Sequence, residues 1–288
     1  MGNMSHEHAP THVPSPQKTI VITGASDGIG AAAARILHRQ RPEDNLILVG
    51  RDPKKTKAVA SKLGVRYHVA DFTSLGEVHR LARELDDLET IDVLANNAGG
   101  IFDGPLATVD GFERTWQINV VAPFLLTSLL QDKIRAVDGL VVQTASVANF
   151  LMSKFDPADP NTFDKFSSER AYGNAKVGSI LLTRFIHSHG INSVAFHPGV
   201  LATNFSSELT GKLNKLYFTP GIKHLLSKPK VGGANLAYFI TGTPGIHFES
   251  GEYYNDKRKP GLQRPIAKNV SVAKRIFADL AQSLNVEW

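Results

Sequence analysis

The sequence contains no cysteine, and this absence excludes disulfides, thiolate metal sites and cysteine nucleophiles without fixing the cellular compartment. Long apolar runs are absent too. The longest extends from Val120 to Leu130, and Pro123, Thr127 and Ser128 interrupt it. It is well short of the roughly 20 apolar residues that cross a bilayer. We therefore expect no membrane span.

A strong charge of either sign is also lacking. Lys and Arg number 32 against 27 Asp and Glu, which gives a net charge of +5, and the densest basic cluster is Lys257, Arg258 and Lys259. Such a mild excess is typical of an ordinary surface rather than of a nucleic-acid stripe. With 42% hydrophobic and 20% charged residues, the composition is that of a globular protein. We expect a cytoplasmic protein without a nucleic-acid partner.

The first stretch, Met1 to Gln17, has three prolines and no apolar run, so it fits neither a secretory signal nor a membrane anchor. We interpret it as a disordered tail in front of one domain that spans 18–288. Its histidines, His6, His8 and His12, could bind a metal, but a flexible polar segment without ordered surroundings is a poor metal site. We therefore predict no metal.

From Thr19 onward, short apolar strands alternate with helical patterns. Strands are predicted at Thr19–Thr23, Leu46–Val49, Val65–Val69, Ile91–Ala95, Leu140–Thr144 and Ser193–Phe196. The helices are predicted to end at His38, to run around Lys54–Leu63, to open at the capping-box residues Ser74–Glu77, and to cover about Gly111–Ile134 and Glu169–His187. This alternation predicts an α/β fold: a single doubly wound parallel sheet, Rossmann-like, with helices on both faces. Two stretches lie outside this alternation, Phe150–Ser168 and Asn204–Lys230, and we interpret them as insertions near the functional site that the motifs below predict.

The turn between the first strand and the first helix is rich in glycine. There, small residues let the backbone approach a pyrophosphate, and the N–H groups at the helix start attract its charge. Position between a strand and a helix makes the signal specific, since glycines in an ordinary loop are usually only turn formers. The turn therefore predicts nucleotide binding by Thr23, Gly24, Ser26, Asp27, Gly28, Ile29 and Gly30.

A tyrosine and a lysine, Tyr172 and Lys176, lie four residues apart on one face of a predicted helix. A free tyrosine has a pKa of about 10, and a neighbouring cation lowers it toward the pH at which acid/base catalysis is efficient. On an exposed helix the same pair would usually be a solvated face. The pair is a candidate catalyst only in combination with the other motifs.

The spacing of the glycine turn, T-G-x-x-x-G-x-G, resembles that of the short-chain dehydrogenase/reductase family, and the resemblance extends from Thr19 to about Tyr253. Each matching residue on its own also has an ordinary structural interpretation. The resemblance depends on their occurring together in the order that the family has. The resemblance implies a catalytic tetrad of Asn119, Ser146, Tyr172 and Lys176. It further implies cofactor contacts at Asp71, Phe72, Asn97, Ala98, Gly99, Tyr172, Lys176, Pro198, Gly199, Val200 and Thr203.

The sequence departs from the family in small ways. Where members often have two consecutive serines, the first is Ala145 here, so Ser146 is the one candidate hydroxyl. Ser146 and Tyr172 are also unusually far apart, and this spacing, like the run His197-Pro198-Gly199-Val200, resembles the retinol-dehydrogenase-like branch.

The implied reaction is hydride transfer between a nicotinamide and a carbonyl or alcohol substrate. Ser146 would donate a hydrogen bond to the carbonyl oxygen and Tyr172 would exchange the proton. Lys176 would lower the Tyr172 pKa and hold the nicotinamide ribose, while Asn119 would position a water. Two alternatives stay open: a nucleotide-sensing protein without turnover, and an epimerase or dehydratase acting on nucleotide sugars.

The cofactor and the substrate are predicted separately. Arg51 follows the second strand and Asp52 comes directly after it; the guanidinium suits a 2′-phosphate, so we predict NADP(H) as the preferred cofactor and NAD(H) as an alternative that Asp52 could favour. The apolar positions of 204–230 predict a lid over a lipophilic substrate, unless they pack into the core or a subunit interface. Homodimers or homotetramers are common in the family, and no residue decides between them.

Overall fold

A parallel sheet organises the protein, and this computed structural model describes residues 17–199 and 229–288. In that part of the chain the strands are β1 Thr19–Thr23, β2 Asn45–Gly50, β3 Arg66–Val69, β4 Val93–Asn96, β5 Leu140–Thr144, β6 Asn192–Phe196 and β7 Tyr253–Tyr254. Their spatial order is β3-β2-β1-β4-β5-β6-β7, and every pair is parallel. The order reverses between β1 and β4, which opens a crevice at the carboxyl ends of these strands.

Helices cover both faces of the sheet. They are α1 Gly28–Gln40, α2 Pro53–Leu63, α3 Leu75–Glu84, α4 Arg114–Trp116, α5 Ala122–Arg135, α6 Ala148–Leu151, α7 Ser168–Ser188, α8 Pro229–Thr241 and α9 Val270–Leu284. A π-helical turn, Gln117–Val121, joins α4 to α5, and a 3₁₀ turn, Pro265–Lys268, precedes α9. The predicted doubly wound α/β fold is thus confirmed.

Two apolar clusters separate the helices into layers. On one face α1 and α8 bury residues such as Leu37 and Phe239 against β1, β2 and β6. On the other face α3, α5, α7 and α9 surround a stack in which the Phe124 and Phe277 rings lie 5.3 Å apart. Because both faces are covered, the central strands are apolar throughout, as in Ile20–Ile22, rather than alternating.

The predicted elements differ from the observed ones mainly at their ends. All six predicted strands occur within about two residues of their expected bounds. The helix predicted to open at Ser74–Glu77 does begin at Leu75 with Ser74 as its N-cap, but the capping-box bond is absent because the Ser74 side chain makes no cap hydrogen bond. The Leu75 N–H donates to the Asp110 carboxylate at 2.9 Å. The long helix expected from Gly111 begins at Arg114 and contains the π-helical turn.

Four elements were not predicted: α6, α8, β7 and α9. Strand β7 is only two residues long and α6 only four, too short for a periodic pattern to emerge. The predicted tail, except for its last residue, and the predicted lid, except for residues 229–230 at the start of α8, lie outside the described residues.

Candidate active site

The glycine turn brings two backbone segments almost into contact. Gly24 has a φ of +65°, and a Cβ atom there would lie 2.7 Å from the Ala98 Cα. A Cβ atom at Gly30 would lie 2.4 Å from the Gly24 carbonyl oxygen. Such distances leave no space for a side chain, so the glycines allow the start of α1 to approach the loop after β4. This is the close approach that pyrophosphate binding at a helix start requires.

Hydrogen bonds between Thr23 and the loop after β4 hold that geometry. The Thr23 Oγ1 accepts hydrogen bonds from the N–H groups of Asn97 and Ala98, both at 3.0 Å, and donates to the Ala95 carbonyl at 3.2 Å. The Asn97 Nδ2 donates to the Thr23 carbonyl at 3.0 Å. Thr23 is fully buried beneath the turn. Its position is that of a support for the turn rather than of a direct cofactor contact.

At the start of α1 a carboxylate sits beside the expected pyrophosphate position. Asp27 is the N-cap, and its Oδ1 accepts a hydrogen bond from the Gly28 N–H at 2.7 Å. The Lys55 Nζ lies 3.9 Å from its other carboxylate oxygen. A bound pyrophosphate would compete with Asp27 for the same N–H, and Lys55 supplies a positive charge on the opposite side.

The residues that follow β2 divide into a capping residue and a cation. The Asp52 side chain accepts a hydrogen bond from the Lys55 N–H at 2.9 Å, and this bond, with the charges of Lys55 and Lys54, lowers the pKa of the carboxyl group. Its Oδ1 is therefore engaged at the N-terminus of α2. Arg51 is exposed and lines the cavity together with Lys55.

A cavity of about 760 Å³ is lined both by these residues and by the predicted catalytic residues. Most predicted site residues line it: Gly24, Ser26, Asp27, Gly28, Ile29, Arg51, Asp71, Phe72, Asn97, Ala98, Gly99, Ser146, Tyr172, Lys176, Pro198 and Gly199. Three predicted residues, Thr23, Gly30 and Asn119, stand behind the wall, where they contact residues that do line it. Val200 and Thr203 lie outside the described residues.

Lys176 differs most from its expected state. The side chain is buried, and its Nζ donates to the Thr144 carbonyl at 2.8 Å and lies 5.4 Å from the centre of the Tyr172 ring. Burial lowers the Lys176 pKa from 10.5 to about 7. From the sequence we expected a cation beside Tyr172, whereas burial brings the Lys176 pKa close to neutral pH.

Ser146 lies in a tight turn after β5, and a hydrogen bond within this turn orients its hydroxyl. The Oγ accepts a hydrogen bond from the Ala148 N–H at 3.2 Å. Because a hydroxyl also carries one donor hydrogen, Ser146 can still donate to a substrate oxygen. Its position in the cavity wall agrees with that use.

Asn119 lies in the π-helical turn and binds the loop after β4. Its Nδ2 donates to the carbonyl oxygens of Gly100 at 3.0 Å and Thr115 at 2.7 Å, and its Oδ1 accepts from the Gly100 N–H at 3.3 Å. A Cβ atom at Gly99 would lie 2.5 Å from the Asn119 Oδ1 and 3.4 Å from the Lys176 Nζ. Asn119 and Lys176 therefore meet around Gly99, although the asparagine side chain is already engaged with backbone.

Another part of the cavity wall consists of residues that were not predicted from the sequence. Apolar side chains predominate at this end of the cavity: Ile101, Phe102, Val147, Ala148, Leu151 and Met152. His197 also lines it, is buried, and has its pKa lowered by that burial, which favours a neutral imidazole. Only their proximity in the sequence to predicted site residues could have indicated them. Ile101 lies two residues after Gly99, and Leu151 falls in the predicted insertion after Ser146.

Comparison with known proteins agrees with this geometry. The sequence profile of the family described as short chain dehydrogenase matches residues 18–214. The chain belongs to this family. It is therefore an NAD(P)-dependent oxidoreductase, which sets aside the alternative of a sensor without turnover.

Two relatives are similar over nearly their whole lengths. One, from Streptomyces sp. strain C5 and provisionally named daunorubicin C-13 ketoreductase DnrU, is 33% identical over 93% of this chain and 93% of its own. The other, human retinol dehydrogenase 13, is 30% identical over 96% of this chain and 88% of its own. The predicted resemblance to the retinol-dehydrogenase-like branch is thus confirmed.

Solved structures show the same fold. An uncharacterized protein from Mycobacterium paratuberculosis superposes with a TM-score of 0.73 at 26% identity, covering 94% of each chain. An alcohol dehydrogenase from Thermococcus sibiricus, complexed with 5-hydroxy-NADP, gives 0.64 at 21% identity and covers 83% of this chain and 96% of its own. Within 17–199 and 229–288, no helix is long and apolar enough to cross a membrane, and no group of three or more histidine or acidic side chains could hold a metal.

Proposed function

We propose that the short-chain dehydrogenase cavity serves NADP(H)-dependent interconversion of a lipophilic carbonyl compound and its alcohol. One observation supports this most: a single cavity is lined by Arg51 and Lys55, by a group of apolar side chains, and by the serine, tyrosine and lysine. The close approach of Gly24 to Ala98 at the start of α1 fits a dinucleotide pyrophosphate, which would compete with Asp27 for the Gly28 N–H. A bound nicotinamide supplies or accepts the hydride.

The chain's own residues would orient the substrate and move the proton. Ser146 donates a hydrogen bond to the carbonyl oxygen, which stabilises the negative charge that develops there. The Tyr172 hydroxyl gives its proton to that oxygen in reduction and takes it back in oxidation. Lys176, with a pKa of about 7, can exchange a proton near neutral pH and so return Tyr172 to its starting state.

The preference for NADP(H) is supported by the residues after β2. Arg51 and Lys55 line the cavity as cations; Asp52 lines it too, but its Oδ1 is held by the α2 N-terminus. An acidic side chain that turned inward would instead favour the 2′-hydroxyl of NAD(H). The arrangement therefore favours the phosphorylated cofactor.

Steady-state kinetics with both cofactors test that preference. We expect a higher kcat/KM with NADPH than with NADH, and a loss of about 10-fold or more with NADPH alone in Arg51→Ala and Lys55→Ala, since a charge-assisted contact contributes on the order of 1.5–3 kcal/mol. Lys54→Ala is the matched control, because Lys54 is on the same helix but does not line the cavity. Equal use of both cofactors by the wild type would contradict the proposal.

A substrate panel tests the lipophilic class. We expect kcat/KM to rise with the apolar chain length of a ketone series, and this rise to disappear in Leu151→Asp, because Leu151 is part of the apolar wall and its side chain is largely exposed. A small charged ketone as the best substrate would refute it. The lid over 204–230 stays a prediction from the sequence, which proteolysis with and without cofactor would test. A cytoplasmic location likewise stays a prediction, which cell fractionation would test.

A further inference from the structure

A fully buried asparagine, Asn149, connects the candidate catalytic serine to a distant segment. Its Nδ2 donates to the Ser146 carbonyl at 2.7 Å and to the Leu262 carbonyl at 3.3 Å. Its Oδ1 accepts from the Arg264 N–H at 3.3 Å. The serine turn and the segment at Leu262 and Arg264, more than 110 residues later, are thus joined through one amide.

The same segment holds the other end of α6. The Arg264 Nη2 donates to the Ser153 carbonyl at 3.3 Å, while the Ser153 hydroxyl donates back to the Asn149 carbonyl. The short helix after Ser146 is consequently tied to the C-terminal segment on both sides. A four-residue helix has little stability of its own, so its position depends on these bonds and on its close packing against Gly173 of α7.

The orientation of the serine hydroxyl depends on that position. The Ser146 Oγ is held by the Ala148 N–H, which is part of α6, and the Ser146 carbonyl accepts from both the backbone N–H, at 3.1 Å, and the Nδ2 of Asn149. Movement of α6 would therefore turn both groups of Ser146 together. A misplacement of about 1 Å at a reacting group can reduce the rate on the order of 10²-fold.

We propose that Asn149 is a positioning residue for catalysis: it anchors the Ser146 turn to Leu262 and Arg264, and so aims the serine hydroxyl at the substrate oxygen. This inference rests on the proposed role of Ser146. Asn149 touches neither substrate nor cofactor in this scheme, and it acts through the serine backbone.

Alanine variants distinguish positioning from general stability. We expect Asn149→Ala to lower kcat about 10- to 100-fold, with the dissociation constant of the cofactor unchanged. Asn235→Ala is the matched control: this buried amide donates to the Asp256 carbonyl at 3.0 Å and accepts from the Arg258 Nε at 3.3 Å, without touching the serine turn. It should lower the melting temperature comparably and leave kcat within about 3-fold of the wild type.

An isosteric variant provides a readout that stability alone would not move. In Asn149→Asp an ionised carboxylate cannot donate to the two carbonyl oxygens, whereas the protonated acid can restore the bond to Ser146. We therefore expect kcat of Asn149→Asp, relative to the wild type, to increase as the pH falls. The corresponding ratio for Asn149→Ala should stay flat. A flat ratio for Asn149→Asp would overturn the inference. This measurement does not require that Asn149→Ala folds.

Ser146→Ala separates failure of this inference from failure of the proposed function. If Ser146→Ala retains wild-type turnover, the serine assignment is wrong and the positioning role falls with it. If Ser146→Ala loses turnover while Asn149→Ala keeps it, only the positioning role is wrong. Support requires that both lose turnover and that the double variant is no slower than Ser146→Ala, as expected for residues that act as one unit.

Discussion

The cofactor end and the substrate end of the cavity are built by different means. At the cofactor end, backbone segments contact each other directly through small residues, as Gly30 contacts the Gly24 carbonyl, and Thr23 fixes their spacing. At the substrate end, amide side chains such as Asn149 and Asn174 bridge separate loops. The first construction depends on where side chains are missing, and the second on which side chains are present.

The two ends should therefore respond differently to substitution. The glycine turn tolerates change elsewhere, because its close contacts are between backbone atoms, to which Thr23 and Asn97 add side-chain bonds. A loop held by an amide moves as soon as that amide or its partner is replaced. We therefore expect substitutions at the substrate end to change specificity before they change cofactor binding.

The largest expected effect lies at the junction of the two ends. Tyr172→Phe removes only the hydroxyl, so turnover should fall by about 10²–10⁴-fold while cofactor affinity, measured by fluorescence titration, is retained. Tyr238→Phe is the control, since its hydroxyl bonds the His247 carbonyl on the surface. Near-normal turnover in Tyr172→Phe would show that the proton comes from another group.

Gly30→Ala should damage the cofactor end selectively. The added Cβ would lie 2.4 Å from the Gly24 oxygen, so the turn must shift, and we expect cofactor affinity to fall about 10-fold or more with destabilisation of about 1–3 kcal/mol. Gly76→Ala is its counterpart on α3, where the new atom meets only the Ser74 Oγ at an ordinary 3.5 Å. That variant should be neutral or slightly stabilising. If Gly30→Ala and Gly76→Ala bind the cofactor with similar affinity, cofactor binding does not depend on the close backbone contact at Gly30.

The buried amine between the two ends predicts a pH-dependent stability. Because burial lowers the Lys176 pKa from 10.5 to about 7, the unfolded chain binds more protons than the folded one between these values. The free energy of unfolding without cofactor should therefore rise from about pH 7 toward pH 10 by this contribution. Denaturant titrations of the wild type and Lys176→Met would reveal it as a difference in slope. Parallel curves would mean that Lys176 stays charged in the folded protein.

Asn174→Ala should affect the substrate end most mildly. Asn174 accepts from the Lys154 N–H at 2.9 Å and donates to the Thr162 Oγ1 at 2.8 Å, which ties the 150–168 loop to α7. We expect a several-fold increase in KM for the carbonyl substrate, a smaller change in kcat, and a loss of about 1–3 kcal/mol in stability. An increase in KM for the cofactor instead would show that the two ends are not independent.

The same contrast determines how much the sequence could predict. The cofactor end was accessible because the glycine turn is contiguous and its role follows from its place between a strand and a helix. The alternation of strands and helices likewise predicted the doubly wound sheet, since hydrophobic periodicity is a local signal. The predicted tetrad came from resemblance, because spacing alone would not bring Asn119 and Lys176 together around Gly99.

The substrate end was largely inaccessible for a physical reason. The partners of Asn149 are 113 and 115 residues away, and no local pattern connects them. Ser74 shows the opposite error: the local capping signal was present and Ser74 is the N-cap, but its side chain makes no cap hydrogen bond, and the neighbouring Leu75 N–H is bonded by Asp110, 35 residues further along. The lowered Lys176 pKa also required the tertiary structure, since it follows from burial.

The π-helical turn that carries Asn119 behaves as a one-residue insertion inside a longer helix. The Ala122 N–H bonds the Gln117 carbonyl five residues earlier, so the turn holds one residue more than an α-helical turn. If the turn adopted α-helical hydrogen bonding without losing a residue, everything beyond it would rotate by about 100°. Phe124 would then leave the ring stack with Phe277. The extra residue thus lets one helix satisfy two phases at once, that of the site before it and that of the core behind it.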